Sequence, residues 1–328
     1  MYSIEELQKK VTNEIDAWSE ELSKNEPHQL YTPVEYALSM GGKRLRPVLL
    51  LMSTNMFQDE IESGLPAALA VEIFHNFTLL HDDIMDNAEV RRNSPTVHKH
   101  FSENTAILSG DAMAFLSYQL LMKCRCEKLS EITSLFTETA LEVCEGQQYD
   151  MDFETRHDDV TQAEYLKMIR LKTAVLLGCS LKAGALLADA KTEAANLIYD
   201  IGINLGLAFQ LQDDLLDTFG NQETFGKKIG GDIVANKKTF LLIEALENAN
   251  TWQKAELKKW LAKTDFHPDE KINAVTELYN QLGIKELTKE KIDSYFNAAS
   301  EILQKIPVDE NRKMPLKNLS KKMLGRNS

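Results

Sequence analysis

The sequence predicts an all-α fold, on three observations. Prolines stand at positions 27, 33, 47, 66 and 95 and then not again until 268, so the middle of the chain lacks the residue that most reliably interrupts a helix. Apolar residues recur at helical spacing, as in Ile4, Leu7, Val11, Ile15, Trp18 and Leu22, and again in Leu135, Leu141, Val143 and Cys144. No sustained period-two alternation and no Asn-Gly or Asp-Gly hairpin signal occurs. With no break in composition along its 328 residues, the chain is expected to form one domain, residues 1–328, large enough to bury a sizeable core.

Composition narrows the functional classes. The formal net charge of −13 argues against nucleic acid or an anionic membrane as the main partner. Cys124, Cys126, Cys144 and Cys179 form no C-x-x-C pair, and a chain of this size has no need of disulfide staples, so a reduced, cytoplasmic setting is expected. Residues Met1 to Lys10 include acids and no apolar stretch, and no later run reaches the roughly 18 apolar residues of a membrane span. The expectation is a soluble protein without a transmembrane segment.

Each element follows in order. Ser39-Met40-Gly41-Gly42-Lys43-Arg44-Leu45-Arg46-Pro47 is a glycine pair leading into three basic residues, then a proline suited to a first helical turn. Glycines there let the backbone approach a ligand, and Lys43 with Arg46 could grip phosphate, although basic loops are most often simply solvated. Ala67 to Asp86 is expected to be a helix apolar on most sides, hence central; it carries Phe74, His75, Phe77, Thr78 and His81 and ends in Asp82-Asp83-Ile84-Met85-Asp86. Arg91-Arg92-Asn93-Ser94-Pro95 reads as a polar loop whose adjacent arginines would serve different anions. Helices are then expected from about Asn104 to Cys126, Glu131 to Phe153, Gln162 to Leu187 and Thr192 to Phe219. The second carries Gln147 and Asp150, the third Lys172-Thr173, and the fourth Gln210, Asp213, Asp214 and Asp217. A glycine- and lysine-rich stretch follows, Phe225 to Thr239, with Lys227 and Lys237; it lacks the spacing of a nucleotide-binding P-loop. From Trp252 onward the sequence reads as amphipathic helices with breaks near Pro268, Pro307 and Pro315.

The chemistry lies in the two D-D-x-x-D clusters. With Asp at roughly 6% of residues, one accidental copy is expected about 0.07 times in a chain of this length, and two far more rarely. Asp82 and Asp86 are one helical turn apart and share a face, as do Asp213 and Asp217, whereas the middle Asp of each cluster lies about 100° around the helix. Like charges so close need a positive counterpart. Carboxylate oxygens suit Mg²⁺, which keeps several waters and takes its remaining ligands from substrate phosphates; zinc is disfavoured because no Cys/His set has ligand spacing. Lys43, Arg46, Arg91, Arg92, Lys172, Lys227 and Lys237 then call for phosphates of their own. Phe and Leu beside the acids imply that the organic part of the substrate is greasy.

This motif set resembles the trans-isoprenyl diphosphate synthases, the polyprenyl synthetase family. The likeness spans about residues 30 to 245, with both aspartate clusters, G-G-K-x-x-R, the arginine pair, the K-T pair, F-Q-x-x-D-D and the glycine-lysine stretch in family order. One departure is Asn93, where the family usually has Gly. The resemblance implies an isoprenoid synthase fold, a bundle of long helices around a central cavity. It implies a prenyltransferase, a homodimer in its family's manner, that condenses isopentenyl diphosphate with dimethylallyl, geranyl or farnesyl diphosphate. Asp82, Asp83, Asp86, Asp213, Asp214 and Asp217 would hold three Mg²⁺ ions on the allylic diphosphate, assisted by Arg91, Lys172, Lys227 and Lys237. Lys172, the Thr173 carbonyl and Gln210 would face the allylic cation, and Lys43, Arg46, His75 and Arg92 would bind isopentenyl diphosphate. Gln147 and Asp150 would support the lysine and metal cluster.

Product length follows from the helix that carries the first cluster. A prenyl tail running from Asp82 toward the helix N-terminus passes Thr78, Phe77 and Phe74, and one turn of about 5.4 Å is close to the reach of one prenyl unit. In the resembling family, bulk four and five residues before the first Asp sets the pocket floor. A single aromatic, Phe77, with Thr78 beside it resembles the enzymes that make geranylgeranyl diphosphate (C20); Met113 and Phe115 could reshape the pocket. Farnesyl diphosphate (C15) or a longer polyprenyl product are the alternatives within the class. A terpene cyclase, a non-catalytic partner subunit of a prenyl synthase and a purely structural helical protein are the alternatives outside it.

Overall fold

The apolar middle of the chain folds into long helices because nothing in it stops them. The structure, a computed structural model, describes residues 1–156, 159–220 and 229–324. In order, the helices are α1 (Ile4–Leu22), α2 (His28–Ser39), α3 (Leu45–Phe57), α4 (Leu65–Met85), the short α5 (Val97–His100), α6 (Glu103–Leu121), α7 (Leu129–Thr155), α8 (Gln162–Ile169), α9 (Val175–Leu187) and α10 (Thr192–Phe219). Helices Gly231–Val234, Phe240–Asn248, Thr251–Ala262, Pro268–Gln281, Ile284–Lys305 and Glu310–Leu324 follow. The all-α expectation holds, and no described helix is long and apolar enough to cross a membrane. Pro315 does not break its helix as expected: it sits in the second turn of Glu310–Leu324, where it removes one i→i−4 hydrogen bond and the helix continues past it.

Two differences from expectation bear on the site. Between α4 and α5 the polar loop is a minimal hairpin, β1 (Val90–Arg91) pairing antiparallel with β2 (Ser94–Pro95). Its two central residues, Arg92 and Asn93, have φ of 52° and 65°, the left-handed conformation that a two-residue turn of this kind requires. Asn tolerates that region better than most residues, which accounts for Asn93 at the family's glycine position. The second difference is a π-helical turn, Arg170–Ala174, that interrupts the expected helix from Gln162 to Leu187.

By its contacts the chain divides into two compact units. The first comprises Met1–Glu138, Leu176–Tyr199 and Ile306–Leu319; the second comprises Thr139–Val175, Asp200–Lys305 and Ser320–Ser328.

In the first unit, α3 is buried without interruption from Pro47 to Met56. Leu49, Leu50 and Leu51 are fully buried, each contributing about 1.5–3 kcal/mol relative to exposure. On α4, Pro66 occupies the first turn and every residue from Ala67 to Phe74 is buried. α1 starts on a capping box, Ser3 with Glu6, and buries the single stripe Leu7, Val11, Ile15, Ser19 and Leu22.

The second unit packs around Phe153, Tyr165, Met168, Leu211, Leu215, Phe240 and Leu241, among others. Its π turn is wider than an α-helical turn, and neighbouring helices fit it through glycine. A Cβ on Gly146 of α7 would lie 2.2 Å from the Lys172 backbone N, and one on Gly206 of α10 would lie 2.5 Å from the Ala174 Cα. Backbone approach at both contacts therefore fixes where the π turn can sit.

Candidate active site

In the first unit the acidic end of α4 separates its carboxylates by depth. Asp83 is buried, and Arg91 of β1 clamps it: Nε lies 2.8 Å from each carboxylate oxygen and Nη2 2.7 Å from Oδ1. Burial raises the Asp83 pKa, with Arg91 opposing the shift. Asp82 keeps a looser contact, 3.5 Å from Arg91 Nη2, and Asp86 is exposed. In the structure, Asp83 is thus a fixed partner of Arg91, while Asp82 is half-buried and Asp86 exposed.

A group of guanidinium side chains gathers beside α4. Arg44 turns inward from a left-handed position (φ 48°) and pairs with buried Glu72 at 2.6 Å; its other arm donates to the Leu38 carbonyl at 2.6 Å, and Asn76 also donates to Glu72 at 3.0 Å. Arg46 Nη1 donates to His75 Nε2 at 3.0 Å, which places two of the sequence-predicted residues in contact. Arg92 reaches the Gly41 carbonyl and packs on Gly42, where a Cβ would lie 2.7 Å from its Cζ and where φ is 132°. Lys43, on the same loop, is exposed. Burial holds His75 well below the ordinary imidazole pKa, with Arg46, Arg92, Arg91 and Arg44 adding to the shift; burial likewise lowers Arg46 to about 10. The imidazole is therefore neutral and accepts from Arg46. An arriving anion would relieve the mutual repulsion of these cations.

Below the acids, Phe77 is half-buried and meets Phe74 and His81 edge-on, with ring centroids 5.5 Å and 4.8 Å apart. The Thr78 hydroxyl donates to the His75 carbonyl at 2.8 Å. Met113 is fully buried on α6, but Phe115 is 76% exposed. Two residues along a helix lie about 200° apart, so within this chain Phe115 faces away from Met113 and does not line an interior pocket as expected.

The second unit contains a cavity of about 820 Å³ lined by Asp150, Lys172, Thr173, Gln210, Asp213, Asp214, Asp217, Asp232, Lys237 and Lys238, among others. Lys172, on the π turn, meets Asp150 at 2.6 Å, as expected of a supporting pair. Thr173 Oγ1 lies 3.2 Å from Gln210 Oε1, and Gln210 Nε2 donates to Asp214 Oδ1 at 3.2 Å. Tyr165 donates its hydroxyl to the other oxygen of Asp214. Burial pushes Asp214 up to about 7 against those two hydrogen bonds. Asp214 is thus held inward as Asp83 is, while Asp213 and Asp217 remain half-exposed on the cavity wall. Asp217 Oδ2 accepts from the Asp232 backbone N at 3.0 Å. Gln147 is on α7, and Lys227 lies outside the described residues.

Several of these residues carry no motif that sequence reading singled out. In the sequence Tyr165 has nothing that sets it apart from other aromatics, and Asp232 is one acid within a glycine-rich stretch. Arg44 was indistinguishable from its neighbours Lys43 and Arg46 until its left-handed backbone turned it inward.

The carboxylates also test the fit of a divalent cation. Among the described residues no group of three or more His, Cys, Asp and Glu side chains is assembled as a metal site. Each cluster offers two more exposed carboxylates one turn apart, a hard but open oxygen donor set. That suits Mg²⁺, which takes one or two carboxylates and completes its shell with water and phosphate.

An all-α fold with two aspartate clusters, a guanidinium group beside the first and a cavity lined by acids and lysines at the second fits an enzyme of the prenyltransferase class. The profile of the polyprenyl synthetase family matches residues 27–280. A geranylgeranyl diphosphate synthase of Methanosarcina mazei is 40% identical over 249 residues, 75% of this chain and 76% of that protein. A geranylfarnesyl diphosphate synthase of Natronomonas pharaonis is 33% identical over 318 residues, 91% of each chain. Among solved structures, a geranylgeranyl pyrophosphate synthase superposes with a TM-score of 0.94 at 46% identity, over 100% of both chains. The chain belongs to the polyprenyl synthetase family.

Proposed function

We propose that the protein condenses isopentenyl diphosphate with allylic diphosphates and releases geranylgeranyl diphosphate, acting as one isoprenoid synthase domain in the cytoplasm, as a homodimer. The observation that carries the reading is the shared design of the two clusters. In each, the middle Asp is buried and held by fixed donors, whereas the first and third are more exposed.

Asp82, Asp86, Asp213 and Asp217 would hold Mg²⁺, three ions in all, which when bound neutralises the charge that develops on the departing diphosphate. The other roles belong to the chain itself. Arg91, through its arm toward Asp82, and Lys237 bind the allylic diphosphate. Lys172, oriented by Asp150, adds a point charge there. The Thr173 carbonyl and Gln210 present oxygen dipoles toward the allylic cation, stabilising it without capturing it. Gln210 has a fixed amide orientation because its NH₂ is committed to Asp214. Lys43, Arg46, neutral His75 and Arg92 bind isopentenyl diphosphate. The released diphosphate takes the final proton, so no side-chain base is required.

For product length, Phe77 with Thr78 sets the floor, and the relatives include both geranylgeranyl and geranylfarnesyl synthases. The test is to incubate purified protein with isopentenyl diphosphate, each allylic diphosphate in turn and Mg²⁺, and to measure released pyrophosphate. Release that requires both substrates supports condensation. Release from an allylic diphosphate alone would point to a cyclase, and none under any pairing would defeat the reading.

A further inference from the structure

The helix Pro268–Gln281 contains a cation that the reaction does not use. Lys271 is fully buried, and among the described residues no carboxylate pairs with it. Its ammonium donates to Asn236 Oδ1 at 2.6 Å and to the Val234 carbonyl at 3.3 Å, and it lies 4.4 Å from the centre of the Phe266 ring. Burial, and then the charge of Lys238, hold its pKa below the ordinary lysine value. A buried ammonium is costly unless fixed partners satisfy it, and here those partners belong to one short turn.

That turn leads into the lysines of the cavity. Asn236 has φ 57°, the left-handed conformation that Asn tolerates better than most residues when its amide is hydrogen-bonded. Both ends of its amide are engaged, Oδ1 by Lys271 and Nδ2 by the Leu261 carbonyl at 3.1 Å. The backbone is tied on either side: Lys237 N donates to the Asp232 carbonyl at 2.9 Å, and Lys238 Nζ donates to the Asn236 carbonyl at 3.1 Å. Asn236, Lys237 and Lys238 all line the cavity together with Asp213 and Asp217.

We propose that Lys271 is a positioning residue: by holding the Asn236 side chain from behind, it fixes the left-handed turn that aims Lys237 into the diphosphate site. Lys271 itself touches no substrate. The inference rests on the reading of Lys237 as a diphosphate ligand, and the experiment separates the two.

Full-length Lys271→Met, Asn236→Gly and the double variant are compared with Lys237→Ala. Met keeps the length of the buried stem, and Gly accepts positive φ while removing the amide. The readouts are the dissociation constant of magnesium pyrophosphate by calorimetry and the separate KM values of the allylic and isopentenyl substrates. Each single variant is expected to weaken pyrophosphate about tenfold, the scale of one charge-assisted hydrogen bond, and to raise the allylic KM with the isopentenyl KM unchanged. The double variant should be no weaker than either single one, because both remove the same contact. Additive losses, or unchanged pyrophosphate affinity in Lys271→Met and Asn236→Gly while Lys237→Ala loses it, would overturn the proposal alone. Unchanged affinity in Lys237→Ala would overturn both readings. If Lys271→Met does not fold, Asn236→Gly decides, and wild-type affinity in it counts against the proposal.

Discussion

Arg91 grips both oxygens of the Asp83 carboxylate, its Nε lying 2.8 Å from each. The pair divides the labour of the first acidic cluster, since a carboxylate clamped in this way is occupied while Asp82 and Asp86 are more exposed. Arg91→Ala would leave the buried Asp83 charge uncompensated. A stability loss of about 3 kcal/mol is expected, the bottom of the range for breaking a buried pair because Arg91 is itself partly exposed. Arg91→Ala combined with Asp83→Asn should recover part of that loss in urea denaturation. Equal stability of the single and double variants would show that the pair does not hold the turn.

His75 should leave a mark on the pH dependence of stability. Its folded pKa lies well below 6.5, mainly through burial, so the native state binds fewer protons than the unfolded chain. Its contribution is fully present above the unfolded value and is lost as pH falls below it. The urea midpoint of the wild type should therefore drop between about pH 7.5 and about pH 5, and His75→Gln should flatten that slope. The same variant should raise the KM for isopentenyl diphosphate more than that for the allylic substrate.

The π turn can be tested through the glycine that accommodates it. Gly146→Ala places a methyl 2.2 Å from the Lys172 backbone N, a contact that only backbone movement relieves. A loss of about 1–3 kcal/mol by thermal unfolding is expected, together with reduced kcat because Lys172 and Thr173 both ride on that turn. Wild-type kcat in a folded Gly146→Ala protein would detach the π turn from catalysis.

The sequence made the helices, both acid clusters and the cations legible, because periodicity and charge spacing are properties of the chain itself. It was silent where tertiary contact overrides local pattern. The Arg92-Asn93 hairpin carries no Asn-Gly or Asp-Gly signature, since its left-handed residues are held by the packing of Arg92 on Gly42. The π turn has no composition of its own and is recognised by the glycines on α7 and α10. Arg44 and Arg46 look alike on paper, but one closes an ion pair with Glu72 and the other meets His75. Phe115 illustrates the converse error, because an aromatic on the helix after the first cluster points outward once its helix phase is set.

Chain length offers the most graded prediction. Phe77→Ala should lengthen the product and Thr78→Phe should shorten it, since each alters bulk within one turn of Asp82. Phe115→Ala should leave the distribution unchanged, since the ring is exposed; a shift would mean that a second copy of the chain brings it to the pocket.

Reverse-phase chromatography of the wild-type product most directly tests the central claim. With labelled isopentenyl diphosphate, dimethylallyl diphosphate and Mg²⁺, the account predicts a dominant C20 diphosphate. A dominant C15 or C25 product would contradict the role given to Phe77 and Thr78, and the absence of any chain-extended product would contradict the account as a whole.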